Sequence, residues 1–537
     1  MFSPGNEIVT FALGHYSSHV VTHFYNIQES CFSYNPNFQT GINHDALFRE
    51  SSHRSKSTYT PRLVILDDPE ALGFLSKEGC YKTSGNSSAE DDGEAQVIVT
   101  ENKWERNEFI SDVLKEKQSS EKDPNSSSTF LMKNSYNLDE CTFSWSDYSI
   151  TEFNNKTVVT LPKNTDYYDS YDKFTDFHSG ISLWNKTSLH EDIEENTRFF
   201  MEEADNFQGF QVLFDGDNGY SGISSGCLEL LHDEYHKKAI LAVPVLYSDL
   251  SPSDDVVAQH RKRSKKIYSL TSGLSVSSQY CNLITPMSHI FDPWGKNPRT
   301  RVLNNIQYRP DLMYHTSALL AATLDLFTLP CRLQIKSSSL HSIASSINVY
   351  GRSITAAGIR LPLPTERGGN EFSSIEKITG NFFDSLTPCI EITPENIDVQ
   401  SVATKGLGKN QVNYNPDAVN DFLKLYLYNN FPRVISSVGS CKSRFRVPRT
   451  FPKVIDESFN LSMVDNCYGP LAEFIAFGGM HNSKDMGNVL NSLYENARSI
   501  KINRIPGFGA TDSDIDYKEL FEDMKNLSLK YSDITYV

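Results

Sequence analysis

At 537 residues, 39% of them hydrophobic and 22% charged, the chain holds enough apolar material for two or three packed cores, which excludes general disorder. A formal net charge of -17 argues against broad binding to nucleic acid or anionic membrane, because both need a positive surface field. The nine cysteines are scattered without a C-x-x-C pair. They indicate neither a disulfide framework nor a zinc site and read as reduced thiols in a cytosol-facing compartment.

The chain opens on a strand-like apolar run at 8–13, a turn at 14–18 and a helix at 19–30. No arginine-rich presequence or signal-type apolar region precedes the run, so import by a cleavable leader is not expected. PRLVILDD at 61–68 reads as a second buried strand. Between about 82 and 136, two Ser-rich acidic stretches flank a polar helix-like piece; the whole reads as a mobile insertion, dispensable for folding. A strand at 158–161, a helical stretch at 190–206, a strand and glycine-rich loop from 208, and a strand at 239–245 continue the alternation. The longest apolar stretches, 239–247 and 318–324, fall short of the roughly 20 residues that span a bilayer. An apolar helix at 312–328 stops at Pro330 and leads to a strand-like 331–335, and helix-like stretches recur at 418–428 and 517–531. The expected fold is α/β: a Rossmann-type parallel-sheet domain (1–250), a second α+β domain (251–400) and a partly helical C-terminal region (401–537).

The chemistry is concentrated at QGFQVLFDGDNGYSGISSGCLELLHDEY, residues 208–235, which reads as a strand, a glycine-rich loop and a helix starting near Ser224. In such a turn the glycines admit backbone N–H groups to an anion, and the helix aims its positive end at it. Gly14 and His15 at the first turn, with Gly219, Ser221 and Gly222 at the second, are the candidate phosphate-contacting residues. Asp215 and Asp217 oppose that use: a carboxylate about 5 Å from a phosphate costs on the order of 3 kcal/mol at an effective dielectric of about 20 unless a cation intervenes. The loop is open to three readings: a structural turn, nucleotide binding without turnover, or hydrolysis. His15 and His19 beside the first turn either touch a phosphate or make ordinary hydrogen bonds. His232 and His236, at i and i+4, suggest a metal pair, yet the glutamate is one place off H-E-x-x-H and no third ligand is apparent; a charged helix end is the expectation. The basic run HRKRSKK at 260–266 reads as a solvated linker between domains, or as a patch for an acidic partner, a nuclear carrier or lipid headgroups.

LGHYSSHVVTHFYN at 13–26, PRLVILD at 61–67 and the 208–235 unit, in that order and spacing, resemble the tubulins. With WSDY at 145–148, DEY at 233–235 and the helix before LPCRL at 329–333, the resemblance narrows to the Misato family of tubulin-like proteins, covering most of 7–340 and fading in the last third. That resemblance implies a tubulin-like fold and a role in mitochondrial inheritance and organisation, including mitochondrial DNA partitioning, with spindle and microtubule organisation in animals. It implies protein partners on the cytoskeleton or the mitochondrial surface and a location in cytoplasm and on mitochondria; the net charge argues against direct nucleic acid, and without a leader or a spanning run membrane contact is expected to be peripheral at most and cytosol-facing. Tubulin's GTP site carries over poorly. Of the family's first loop, G-Q-C-G-N-Q, only Gly14 remains, and Tyr220 and Ser224 replace two glycines of its second, G-G-T-G-S-G. Leu319 and Ala322 stand where α-tubulin carries its water-activating acids. A non-catalytic protein without a cofactor is therefore expected, GTP being the one candidate ligand. The alternatives are a GTP-binding or GTP-hydrolysing filament protein and a tubulin assembly or chaperone-associated factor.

Overall fold

Strand β1 (Glu7–Leu13) runs directly into helix α1 (His15–Ser30), and a hairpin of β2 (Phe48–His53) and β3 (Lys56–Pro61) feeds β4 (Leu63–Asp67). The structure is a computed structural model that describes residues 6–32, 40–53, 56–81, 105–122, 132–162, 174–248, 255–363, 371–378, 380–409, 414–455, 462–466, 469–500 and 517–531. Next come α2 (Glu108–Lys122), β5 (Val158–Thr160), α3 (Phe177–Lys186), α4 (Leu189–Glu202), β6 (Phe207–Asp215), α5 (Gly219–Glu234) and β7 (Ala239–Leu246). The long α6 (Val256–Tyr280) and two short strands, β8 (Leu283–Ile284) and β9 (Met287–Ser288), complete this half. Its sheet runs β5-β4-β1-β6-β7-β8, with β9 also on β7, and every pairing is parallel. A parallel sheet is covered on both faces, which is why β1, β4 and β7 are mostly apolar, with Glu7, Thr10 and Asp67 the exceptions, and have every residue buried.

Helix α7 (Met313–Phe327) is buried from Tyr314 to Phe327; apolar residues lie on every side of it, and its polar groups, Asp325 among them, are buried with hydrogen-bond or ionic partners. It lies between α1 and a second sheet. After α8 (Leu340–Ile347) the chain adds β10 (Ala356–Arg360), α9 (Glu371–Glu376), β11 (Asp384–Ser385), β12 (Ile397–Lys405), α10 (Pro416–Asn430), β13 (Ile435–Cys441), β14 (Phe445–Arg446), β15 (Ser462–Asn466), β16 (Gly469–Phe474) and β17 (Ala476–Ser483). The second sheet runs β11-β10-β17-β12-β13, and β14-β16-β15 form a small third one. Helices α11 (Met486–Ser499) and α12 (Tyr517–Leu529) return to the first half and pack on α6, with Leu490, Leu493, Phe521 and Met524 in one core with Tyr268 and Leu270.

The α/β fold with a parallel sheet agrees with the expectation, but several details differ. The first sheet does not end near residue 250, because β8 and β9 join β7 after α6. The region after 401 carries the helices α10, α11 and α12, and it also supplies strands that were not expected: β13 and β17 complete the second sheet, and their short, partly polar runs lack the strict alternation that marks a strand. Residues 331–335 form no strand; Leu329–Arg332 is a 3-10 turn led by Pro330. The basic run 260–266 lies on α6, not in a linker. Of the expected mobile insertion, 82–104 and 123–131 lie outside the described residues, whereas α2 is packed. Its Phe109, Ile110 and Leu114 are buried with Phe74, Tyr136, Leu138, Tyr148 and Tyr314. So few inward-facing residues in a polar helix leave a weak apolar signal.

Candidate functional site

The C-terminal ends of β1, β4 and β6 meet the N-terminal ends of α1 and α5. This is the edge where open α/β sheets bind ligands. Gly14 joins β1 to α1 at φ 123° and donates its N–H to Leu66 O at 2.9 Å. Helix α1 starts at His15, so the free N–H groups of its first turn face the end of β6. Asp215 meets them there: its carboxylate accepts from Ser17 N at 2.8 Å and Tyr16 N at 3.2 Å. A Cβ on Gly14 would stand 2.5 Å from Asp215 Cγ, so this position needs glycine for the approach as well as for φ.

The second turn is shorter than the sequence suggests. Asn218 caps α5 by accepting from Tyr220 N at 3.0 Å, so the helix starts at Gly219 and not near Ser224. Tyr220, Ser221, Gly222 and Ser224 are helical, and the glycines serve helix packing. A Cβ on Gly222 would collide with Phe177 O of α3, one on Gly180 with Gly219 O, and one on Gly219 would lie 2.8 Å from the Phe174 ring. Ser221 Oγ donates to Ser269 O of α6 at 3.1 Å, and Ser224 Oγ to Ser221 O at 2.8 Å. Of the five predicted phosphate contacts, Gly14 and His15 stand at the α1 turn; Gly219, Ser221 and Gly222 are spent on packing α5 against its neighbours.

Three acids and their partners fill the space between the turns. Asp67, at the end of β4, accepts from Tyr220 OH at 3.1 Å and Trp145 Nε1 at 3.1 Å, and its Oδ2 lies 3.2 Å from His15 Nδ1. Asp217 pairs with Lys266 of α6 at 2.8 Å, and the same ammonium donates to Tyr247 O at 2.9 Å. The cation that the loop's acids require is therefore in the basic run. Also from that run, Lys265 reaches Thr175 Oγ1 at 2.7 Å and Arg263 reaches Trp294 O at 2.6 Å. Burial, only partly offset by the Ser17 and Tyr16 N–H bonds, pushes the Asp215 carboxyl up to about 7. Burial lowers the His15 imidazole, but the carboxylates of Asp67, Asp215 and Asp68 outweigh it and leave a net rise. His15 is 35% exposed and forms the solvent face of the cluster. His19 is buried, with Nδ1 2.8 Å from Tyr148 OH, and burial holds it well below the ordinary imidazole range.

An incoming phosphate at α1 would have to displace Asp215 and would face Asp67, a carboxylate at about 5 Å and a dielectric of about 20 repelling it by roughly 3 kcal/mol, while Lys266 offsets the charge of Asp217. Leu319 and Ala322 are fully buried in α7. His236 lies beyond the end of α5, so it shares no helix face with His232, whose ring packs on Tyr280. Sequence reasoning missed Asp67, Trp145 and Lys266 as members of this cluster. WSDY carried a signal only as a family marker, and Lys266 only as part of a charge run.

The Misato Segment II tubulin-like domain matches residues 6–116, and the Tubulin domain matches residues 138–333. The first match includes the buried residues of α2, and the second spans both Asp215 and Lys266. Protein misato of Drosophila melanogaster is 29% identical over 79% of this chain and 76% of its own length. Protein misato homolog 1 of Danio rerio is 25% identical over 98% and 96%, and that of Homo sapiens 24% identical over 99% of both. Matched in its domains and along nearly its whole length, the chain belongs to the Misato family of tubulin-like proteins.

Proposed function

We propose that this is a non-catalytic tubulin-like protein that acts through protein contacts in mitochondrial inheritance and organisation, including the partitioning of mitochondrial DNA. The observation that supports the non-catalytic half is the use of Gly219 and Gly222: a Cβ on either would meet the Phe174 ring or the backbone of α3, so close helix packing accounts for both glycines without a phosphate. The burial of Leu319 and Ala322 supports it, since no acid stands at those two positions to activate water. The mitochondrial half rests on kinship with the Misato proteins. Contact with the organelle is peripheral and cytosol-facing in this reading; no helix among the described residues is long and apolar enough to cross a membrane.

The test is to denature the purified protein and identify any released nucleotide by chromatography, then to measure GTP turnover against protein concentration. No stoichiometric nucleotide and no turnover are expected. Bound GTP or GDP, with turnover rising as protein concentration rises, would overturn the reading in favour of a filament-forming GTPase. For the location, protease added to intact mitochondria should digest the bound protein, and carbonate should release it; protection until the inner membrane is opened would refute it.

A further inference from the structure

We propose that the outer edge of β13 is a docking site for an extended segment of a protein partner, which joins the second sheet as one more strand. The proposal deepens the reading above, in which the chain acts through protein contacts. At three of their four borders the two large sheets end on very short strands: β5 has three residues, and β8, β9 and β11 have two each. Short edge strands protect a sheet from unwanted pairing. The fourth border, β13, has seven residues. It pairs with β12 in unbroken register from Val399 and Ile435 to Lys405 and Cys441. Its sequence, ISSVGSC, holds no charge and no proline, and the register holds no bulge, so the usual devices that blunt an edge are missing. Gly439, Ser440 and Cys441 are buried, but Ile435 is 70% exposed and Ser437 is exposed. Among the described residues, no backbone hydrogen bond reaches residues 435–440 from outside the ladder with β12. Unpaired N–H and C=O groups spaced along a strand are matched together by another extended backbone, which fixes the class of ligand.

The side chains at the open end of β13 narrow the class further. Tyr428, near the end of α10, is 72% exposed, and Leu425, one turn earlier, is 60% exposed. With Ile435 they offer apolar contact on the two elements that meet at the turn 431–434. Arg433 in that turn is exposed and has no ion pair among the described residues, whereas Asp417 and Asp421 of α10 are paired with Lys336 and Lys424. The segment that fits is therefore extended, has β-branched or aromatic side chains at alternate positions, and carries a carboxylate that reaches Arg433. Pairing with a second copy is opposed by the charge of -17 on each chain.

The experiment selects random short peptides, displayed on phage, on the full chain after depletion on a variant carrying Ile435→Lys and Ser437→Lys. Both positions are exposed, so the variant should keep the wild-type unfolding midpoint; if it does not fold, Ser437→Lys alone takes its place. Enriched peptides should alternate β-branched or aromatic residues with polar ones and include an acid. A synthetic copy should slow hydrogen exchange of the 435–438 amides and bind the lysine variant about tenfold or more weakly. Methylating alternate backbone nitrogens along one edge of the peptide should weaken binding by a similar factor, while methylating the other edge should not. No enrichment over the variant, or binding indifferent to both the lysines and the methyl groups, overturns the proposal. A dimer of the chain in sedimentation that the lysine variant separates also overturns it, by giving the edge to a second copy. Nucleotide released from the wild type defeats the functional reading and leaves this test standing.

Discussion

Removing the carboxylate of Asp325 should lower the unfolding midpoint of the whole protein by several degrees. Asp325, on α7, and Lys405, on β12, are fully buried, and the Arg332 side chain is 1% exposed. The carboxylate holds Lys405 Nζ at 2.6 Å, Arg332 Nη2 at 2.9 Å and Gln28 Nε2 of α1 at 2.8 Å, while Arg332 Nη1 also donates to Gln28. One acid thus ties the first sheet's covering helix to the second sheet. Asp325→Asn strands two buried cations, a loss of about 3–5 kcal/mol for a broken buried pair. Unfolding entropy near the midpoint is about 2.1 cal/mol/K per residue, or about 1.1 kcal/mol/K for the 537-residue chain. The midpoint should therefore fall by about 3–5 °C by calorimetry if the chain unfolds as one unit. Adding Lys405→Met removes one stranded cation and should recover part of the loss. Burial raises the Asp325 carboxyl, but Lys405 and Arg332 outweigh it and hold it below the ordinary carboxylate range. The difference between the two proteins is therefore full at neutral pH and closes in acid as the folded carboxyl takes up its proton. A variant as stable as wild type at pH 7, with the double variant weaker still, would refute the reasoning.

Phe109→Ala and Leu114→Ala should each cost about 2–5 kcal/mol in denaturant unfolding, because both side chains are buried under α2; wild-type midpoints would mean that α2 is detachable after all. Gly222→Ala should destabilise by about 1–3 kcal/mol or more through its clash with Phe177 O, and an unchanged midpoint would put the glycine back in a ligand role. Asp215 makes wild-type stability fall as pH rises from about 4, near the unfolded carboxylate, towards the folded value of about 7, by up to about 4 kcal/mol. His15, also raised, acts in the same direction. Asp215→Asn should flatten that fall, as read by urea unfolding at pH 5 and pH 7.5; parallel profiles would discount the buried charge.

The parallel strands were legible because burial on both faces makes them nearly continuous apolar runs; PRLVILD and the strands at 8–13 and 239–245 lie within two residues of where they were expected. The second sheet was not. Its strands β12 and β13 pair in parallel, with Val399 opposite Ile435, while β17 arrives from far along the chain, and no local pattern announces such pairing. At the site, Gly14 and the acid pair of the loop were found from residue type alone. Their partners were not, because Lys266 reaches Asp217 across 49 positions of sequence and Tyr220 reaches Asp67 across 153. The glycines of 219–222 misled for a physical reason: the small residue that admits a phosphate also admits a neighbouring helix.

The acids that look like defects in a phosphate loop become structural once their partners are known. Asp217 would repel a phosphate, but it neutralises Lys266, which otherwise stands part-buried among the carbonyls at the end of β7. Asp67 draws Trp145, Tyr220 and His15 to the end of β4. Asp215 satisfies the orphan amides that every helix N-terminus leaves behind. Side chains on β4, β6 and the second turn thus satisfy one another across the junction of two turns and three strands. On the proposed reading, a surface partner meets a junction whose shape is set by these contacts and not by a bound nucleotide.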